Sequence, residues 1–269
     1  MALHEGSASG GLHGATGLTL LRERIRLAHV APARPKNLRV ATWNIRQLGD
    51  GTRLDESIRM IAAILDAFDV VAIVELRDDL RDMERILAVL GGRWGIVFSD
   101  YLRDAGGDRE RMAFVFDRER VSFTGLASNA EADRHRVGDR YAAAVPWWRP
   151  PFLASFARGS FEFVLVAAHV RWGATVTARR REVRALGDWI AERASEAYFA
   201  TKDVLLVGDF NLDAAGHTDE LALRGLVAPP GLASGVKTDF ASGKRYDQIL
   251  CLPRDATHFT GRAGALDFY

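Results

Sequence analysis

Between residues 38 and 252 the spacing of apolar positions changes period several times. Leu38 to Trp43 reads as a strand, and a helical spacing follows over about 54–67. Asp69 to Leu76 is short and almost continuously apolar, as expected of a strand covered on both faces. A second helix over about 78–90 stops at Gly91-Gly92, and strand segments follow at 95–99 and 111–117. Phe161 to Val170 and Val204 to Phe210 are again buried-strand runs, separated by a helical pattern over about 175–198. Lys244 to Leu252 is the last clear strand. Two pairs of neighbouring strands suit antiparallel pairing, so the pattern predicts an α+β fold of two packed, mixed β-sheets flanked by helices. No internal repeat, zinc-ligand spacing or Walker loop interrupts it.

Outside that region the pattern fades. Residues 1–17 are rich in Gly, Ala, Ser and His, a short helix is expected over 18–30, and Ala31 to Pro35 reads as a linker. The expected organisation is therefore a flexible extension and linker over 1–37, then one domain over 38–269. Composition narrows the class without naming a chemistry. The 269 residues are 48% hydrophobic and 26% charged, an ordinary globular balance. Thirty-six basic against 35 acidic residues give a net charge of +1, which argues against a chain built to coat nucleic acid. No apolar run reaches the ~20 residues of a membrane span, and the first residues do not resemble a secretory signal, so a cytoplasmic product is the default. Cys251, the single cysteine, reads as a small buried hydrophobe.

The chemistry lies where buried strands end. Asn44 follows Trp43, Glu75 interrupts Val70 to Val74, His169 follows Val166-Ala167-Ala168, Gly208-Asp209-Phe210-Asn211 ends Val204 to Val207, and Tyr246-Asp247-Gln248 opens Ile249-Leu250. Burying a lone carboxylate costs several kcal/mol unless it is paired, protonated or metal-bound. Each residue alone has a structural explanation; five such endings at one edge of a sandwich point to a site. Glu75 and Asn44 offer hard oxygen ligands that suit Mg2+. His169 can titrate near neutral pH and serve as acid, base or phosphate clamp. Asp209 and Asn211 stand two apart, so strict strand geometry would point them the same way. No covalent nucleophile with a neighbouring base is evident, which leaves metal-assisted attack of water on a phosphate ester.

These blocks, in this order and approximate spacing, resemble the endonuclease/exonuclease/phosphatase superfamily over about residues 38–252, with Gly208-Asp209-Phe210-Asn211 as the most specific element. Within it the details look closest to deoxyribonuclease I. Ser99-Asp100 and Glu110 to Phe116 resemble that enzyme's segment with an acidic residue and a DNA-contacting arginine, and Arg149-Pro150-Pro151-Phe152 resembles a stretch of bacterial relatives. The resemblance implies a four-layer α/β/β/α sandwich. It implies that Glu75 and Asn44 bind Mg2+, with Mn2+ or Ca2+ as alternatives, and that Asp100 orients His169 at the scissile phosphate. It further implies that Asp209 and Asn211 organise metal, water and phosphate, that Arg111 holds the substrate backbone, and that Asp247 orients a second histidine. For Arg111 the residues equally allow a surface ion pair with Asp108 or Glu110.

The departure is at the end. The family closes with a Ser-Asp-His block on a final strand, and none follows Asp247 here; His258 lacks the preceding Asp and comes too soon. The expectation is a domain short of its last strand, either as a fragment or by nature. Two further features have both a functional and a structural reading. Arg171 to Arg184 holds five arginines and one glutamate, suiting a phosphate backbone or a solvated helix face, and Trp147-Trp148 suits base stacking or core packing. The resulting expectation is a divalent-metal-dependent phosphodiester hydrolase acting on DNA as a monomer. The alternatives are a phosphomonoesterase or sphingomyelinase-like enzyme for small phosphate esters, and an inactive nucleic-acid-binding module.

Overall fold

A computed structural model describes residues 14–28, 37–101, 109–143, 147–173, 175–213, 225–229, 231–232, 236–239 and 243–268. Two sheets face each other. The first has the order β1 (Val40–Leu48), β2 (Val70–Leu76), β4 (Arg111–Asp117), β3 (Trp94–Phe98). The second has the order β11 (Asp247–Cys251), β10 (Asp203–Asp209), β9 (Phe161–His169), β8 (Phe152–Arg158), β5 (Ser122–Asn129). A small hairpin, β6 (Arg134–Val137) with β7 (Arg140–Ala143), stands apart. Each sheet is mixed: β1 pairs with β2, and β9 with β10, in parallel, and the other neighbours are antiparallel.

Side-chain alternation builds three apolar layers from these strands. Val70, Ala72 and Val74 enter the layer between the sheets together with Phe114, Phe152, Phe156 and Phe163. Phe114 stacks on Phe152 at 5.4 Å, and Phe156 on Phe163 at 5.8 Å. Truncating one of these rings to alanine would cost about 3–5 kcal/mol. Val71 and Ile73 point the other way, toward α1 (Gly14–Leu27), α2 (Asp55–Leu65) and α3 (Arg81–Leu90). In α2, Ile58, Ile61, Ala62 and Leu65 are buried, the i, i+3, i+4, i+7 stripe of a helix lying on a sheet. On the outer side of the second sheet α4 (Val176–Arg193) buries Val183, Leu186 and Ile190 against Val164, Val166 and Leu206. The result is the four-layer α/β/β/α sandwich.

The N-terminal segment differs from expectation. Residues 14–27 form α1 and pack on the domain, with Leu21 2% exposed and Leu18 and Ile25 against the same cluster. Residues 1–13 and the linker over 31–35 lie outside the described residues. No strand follows β11 among the described residues; Leu266 and Phe268 pack on the first sheet's helical side, Phe268 edge-on to Trp43 at 5.5 Å. Among the described residues no helix is long and apolar enough to cross a membrane. Cys251 is fully buried on β11, and burial, with Asp255 and Asp203 nearby, pushes its thiol up to about 12.

Candidate active site

Both parallel pairs end at the same edge of the sandwich, and backbone geometry there departs from regular strand. By alternation His169 continues the inward face of Phe163, Leu165 and Ala167, and Asp209 continues that of Leu205 and Val207. Glu75 cannot arrive this way, because strict alternation would send it with Val71 and Ile73 toward the helices. Its φ of +62° and a register slip between Ile73 and Leu76 redirect it. β1 runs on past Asn44 to Leu48 through an irregularity, with Arg46 and Gln47 also at positive φ, instead of closing at Trp43-Asn44-Ile45. Such left-handed non-glycine residues cost of order 1–3 kcal/mol each and gather at functional sites. Gly208, at φ +132°, is obligatory: a Cβ there would sit 2.0 Å from the Ala168 carbonyl oxygen.

Hydrogen bonds then tie the two sheets together. Asn44 Nδ2 donates to Glu75 Oε1 at 2.7 Å and to Asp209 Oδ2 at 3.0 Å. The Arg46 amide donates to Asn44 Oδ1 and the Gln47 amide to Glu75 Oε2. Asn211 lies just past β10 at φ +50°, so it does not continue the face of Asp209. Its amide N–H caps Asp209 Oδ1 at 2.8 Å and its Nδ2 donates to the Val170 carbonyl at 2.7 Å. Asp247 is buried directly opposite Asp209 in the ladder. Burial, with the Asp209 carboxylate adding, pushes Asp247 up to about 6, against a hydrogen bond from Thr238.

His169 is the centre of an ion-pair chain. Its Nδ1 meets Glu110 Oε2 at 3.0 Å, and that same oxygen takes Arg149 Nη2 at 2.8 Å. Its Nε2 faces Glu75 Oε1 at 3.8 Å. Burial pulls the imidazole's pKa down, but the Glu110 hydrogen bond and the Asp209 and Glu110 charges outweigh it and hold it above its ordinary value, against Arg149. Burial raises the Glu110 pKa, but His169, then Arg149 and Arg77, together outweigh it and leave it lowered. Glu182 of α4 accepts the Trp148 amide N–H at 3.1 Å and so fixes the residue before Arg149; burial raises its carboxyl pKa.

One expected role changes hands. Asp100 does not orient His169: its side chain is 81% exposed, and it caps the Tyr101 amide and meets Arg111 at 3.4 Å. Glu110 takes the place beside the imidazole, because it continues the inward face of Met112, Phe114 and Phe116 while Asp100 lies beyond the end of β3. Arg111 does line the cleft with His169, Arg149 and Glu110. Its guanidinium lies 4.6 Å from the Tyr101 ring centre and donates to the Ser99 carbonyl at 2.9 Å. Asp108, the other proposed partner, lies outside the described residues. His258 bonds Asp203, at the far end of β10. Six residues of strand put it ~20 Å from Asp209, so it is not the histidine expected beside Asp247.

Among the described residues, Glu75, Glu110 and His169 each bring an atom able to ligate a cation within 4.8 Å of one another. Glu110 and His169 already face each other at 3.0 Å, which leaves Glu75 as the carboxylate without that close a contact. Asp209 shares the Asn44 Nδ2 with Glu75, while Asn44 Oδ1 accepts the Arg46 amide, so the oxygen donors facing this edge are carboxylates, which suit a hard divalent cation.

A buried histidine between two carboxylates, at the edge where both sheets' parallel strands end, is what this sandwich presents. The chain belongs to the Endonuclease/Exonuclease/phosphatase family, whose model matches residues 41–264. A protein named Deoxyribonuclease from Thioalkalivibrio sp. (strain K90mix) is 32% identical over 249 residues, covering 86% of this chain; the chain spans 62% of that relative's length. The fold is shared with the mannosyl-6-phosphatase of Bacteroides thetaiotaomicron, at TM-score 0.56 and 19% identity over 81% of this chain and 86% of that one. It is shared also with the human Nocturnin catalytic domain, at TM-score 0.54 and 15% identity over 83% and 85%.

Proposed function

We propose that the chain is a divalent-metal-dependent phosphodiesterase that hydrolyses DNA. The observation that carries this is the placement of His169 between Glu110 on one nitrogen and the edge formed by Glu75, Asn44 and Asp209 on the other. The family and the deoxyribonuclease relative support the reaction class and the substrate. Glu75 and Asn44 would hold Mg2+, with Asp209 beside them. A bound divalent cation supplies charge neutralisation at the phosphate and lowers the pKa of water. Glu110 occupies Nδ1 of His169, so Nε2 is the atom that faces a phosphate. Protonated, it donates a hydrogen bond to a phosphate oxygen or a proton to the leaving oxygen. Asp209, fixed by Asn44 and the Asn211 amide, is placed to orient the attacking water. Arg111, lining the same cleft, meets the next backbone phosphate.

Supercoiled plasmid nicked in Mg2+ tests the proposal. His169→Ala should lower the rate by roughly 10²–10⁴-fold, the usual worth of a positioned acid or base, and Glu75→Ala should lower it sharply by removing a metal ligand. If both cut as fast as the parent, this centre is not the active site. Turnover of small phosphate monoesters without nicking would move the substrate assignment to the phosphatase alternative.

A further inference from the structure

Two features of the sequence remain outside the catalytic centre, the Trp147-Trp148 pair and the arginine run after His169, and the structure joins them. Trp147 is core, edge-on to Trp189 at 6.2 Å. Trp148 turns outward, 42% exposed, with the Arg171 guanidinium 3.9 Å from its ring centre. Trp172 is 59% exposed, three residues beyond His169. It is held from two sides. Arg179 lies over its ring at 5.4 Å while donating Nη1 to its carbonyl at 2.7 Å, and Tyr246 meets it edge-on at 5.6 Å. Tyr246 in turn is tied to the centre, since it precedes Asp247 and its carbonyl accepts the Phe210 amide.

Each exposed indole is thus a braced plane backed by an arginine, and each lies close in sequence to a residue of the His169 chain. Trp148 is next to Arg149, and Trp172 is three residues past His169. An indole left in water with its position fixed is suited to a second flat, apolar partner. A guanidinium stacked on its other side keeps donors for phosphate oxygens. Bases inside a duplex have their faces covered by their neighbours and offer a protein only their edges, whereas unpaired bases offer whole faces.

Building on the DNA phosphodiesterase reading, we propose that Trp172 and Trp148 are base-stacking platforms flanking the scissile phosphate, and that they give the enzyme a preference for single-stranded or locally unpaired DNA. Arg171 and Arg179 meet the adjoining phosphates. A single sugar phosphate has one puckered ring and would use at most one such plane.

The test compares kcat/KM on a single-stranded oligonucleotide and its matched duplex, in Mg2+, for the full chain and for Trp172→Ala, Trp172→Phe and Trp148→Ala. The parent should favour the single strand. Trp172→Ala should reduce the single-strand-to-duplex ratio roughly tenfold or more, the usual worth of one stacked base, and Trp172→Phe should restore most of it. Trp148→Ala should reduce the ratio as well. A ratio unchanged in both alanine variants overturns the proposal, as does a parent that favours duplex. If the parent cuts neither form, the phosphodiesterase reading falls and tryptophan fluorescence decides the platform separately. Quenching by a single-stranded oligonucleotide that weakens in Trp172→Phe supports it. No quenching, or equal quenching by mannose 6-phosphate, overturns it.

Discussion

His169 reaches a carboxylate through each ring nitrogen, but at 3.0 Å toward Glu110 and 3.8 Å toward Glu75 the two contacts are not equivalent. The shorter one fixes ring orientation and leaves Nε2 to the substrate side. Replacing Glu110 by Gln should therefore lower kcat by about 10- to 100-fold, the usual cost of losing such an orienting partner. Asp100→Asn should change it by less than about fivefold, since an exposed ion pair is worth ~1 kcal/mol at most. Steady-state nicking rates separate the two. His169 and Asp209 were legible in the sequence because each extends an apolar run with the period of a strand. Glu110 was equally legible in principle, two residues before Met112 on the same face. The resemblance assigned that role to Asp100 instead. Arg149 and Glu182 carry no such periodic signal; they reach the centre through a turn and a helix face that only the folded chain brings together.

At the scale of the strand, the edge that holds the centre depends on departures from regular geometry more than on the ladder itself. Gly208 is the clearest case, since it lets β10 approach Ala168 where no side chain fits. Gly208→Ala should destabilise the chain by about 2–4 kcal/mol, a positive φ added to a backbone clash, and urea unfolding would show it. Activity should fall further than stability alone requires, because Asp209 is the next residue. The Gly-Asp-Phe-Asn block was legible because it ends an apolar run and is the most specific element of the family resemblance. The turn of Glu75 to the inner face was not, since a positive φ at glutamate has no sequence signature. β5 was missed because it is an edge strand whose positions are nearly all exposed, without alternation. β8 was missed although Phe152, Ala154 and Phe156 do alternate inward, its prolines before Phe152 reading as loop.

For the molecule as a whole, the sheets are fastened at both edges. Opposite the Asn44–Asp209 bond, the buried Asp69 carboxylate takes Arg39 from the first sheet's approach, Arg158 from the end of β8, and Arg120. Burial raises the Asp69 pKa, but hydrogen bonds from Arg39 first and Arg120 next more than offset it, and the net is below the usual carboxylate value. Asp69→Asn should cost about 3 kcal/mol, at the low end for a buried pair because the arginines are 13–21% exposed. The depressed pKa sets the sign with pH. The contribution is complete above the unfolded value of ~3.9 and is lost as pH falls through the folded one, so the variant should lose that part of the parent's acid sensitivity. Urea midpoints from pH 3 to 7 measure both. The two-sheet architecture was legible from the buried runs; this clasp was not, because its arginines lie 30, 51 and 89 residues from Asp69.

Cys251 offers a probe of local opening at β11. Only a thiolate is readily alkylated, and a fully buried thiol pushed up to about 12 stays protonated and unreachable while β11 is in place. The same short strand begins at Asp247. The rate at which a thiol reagent labels the native protein therefore times how often the strand under the candidate site lifts away, in an unmodified molecule with a single place to react.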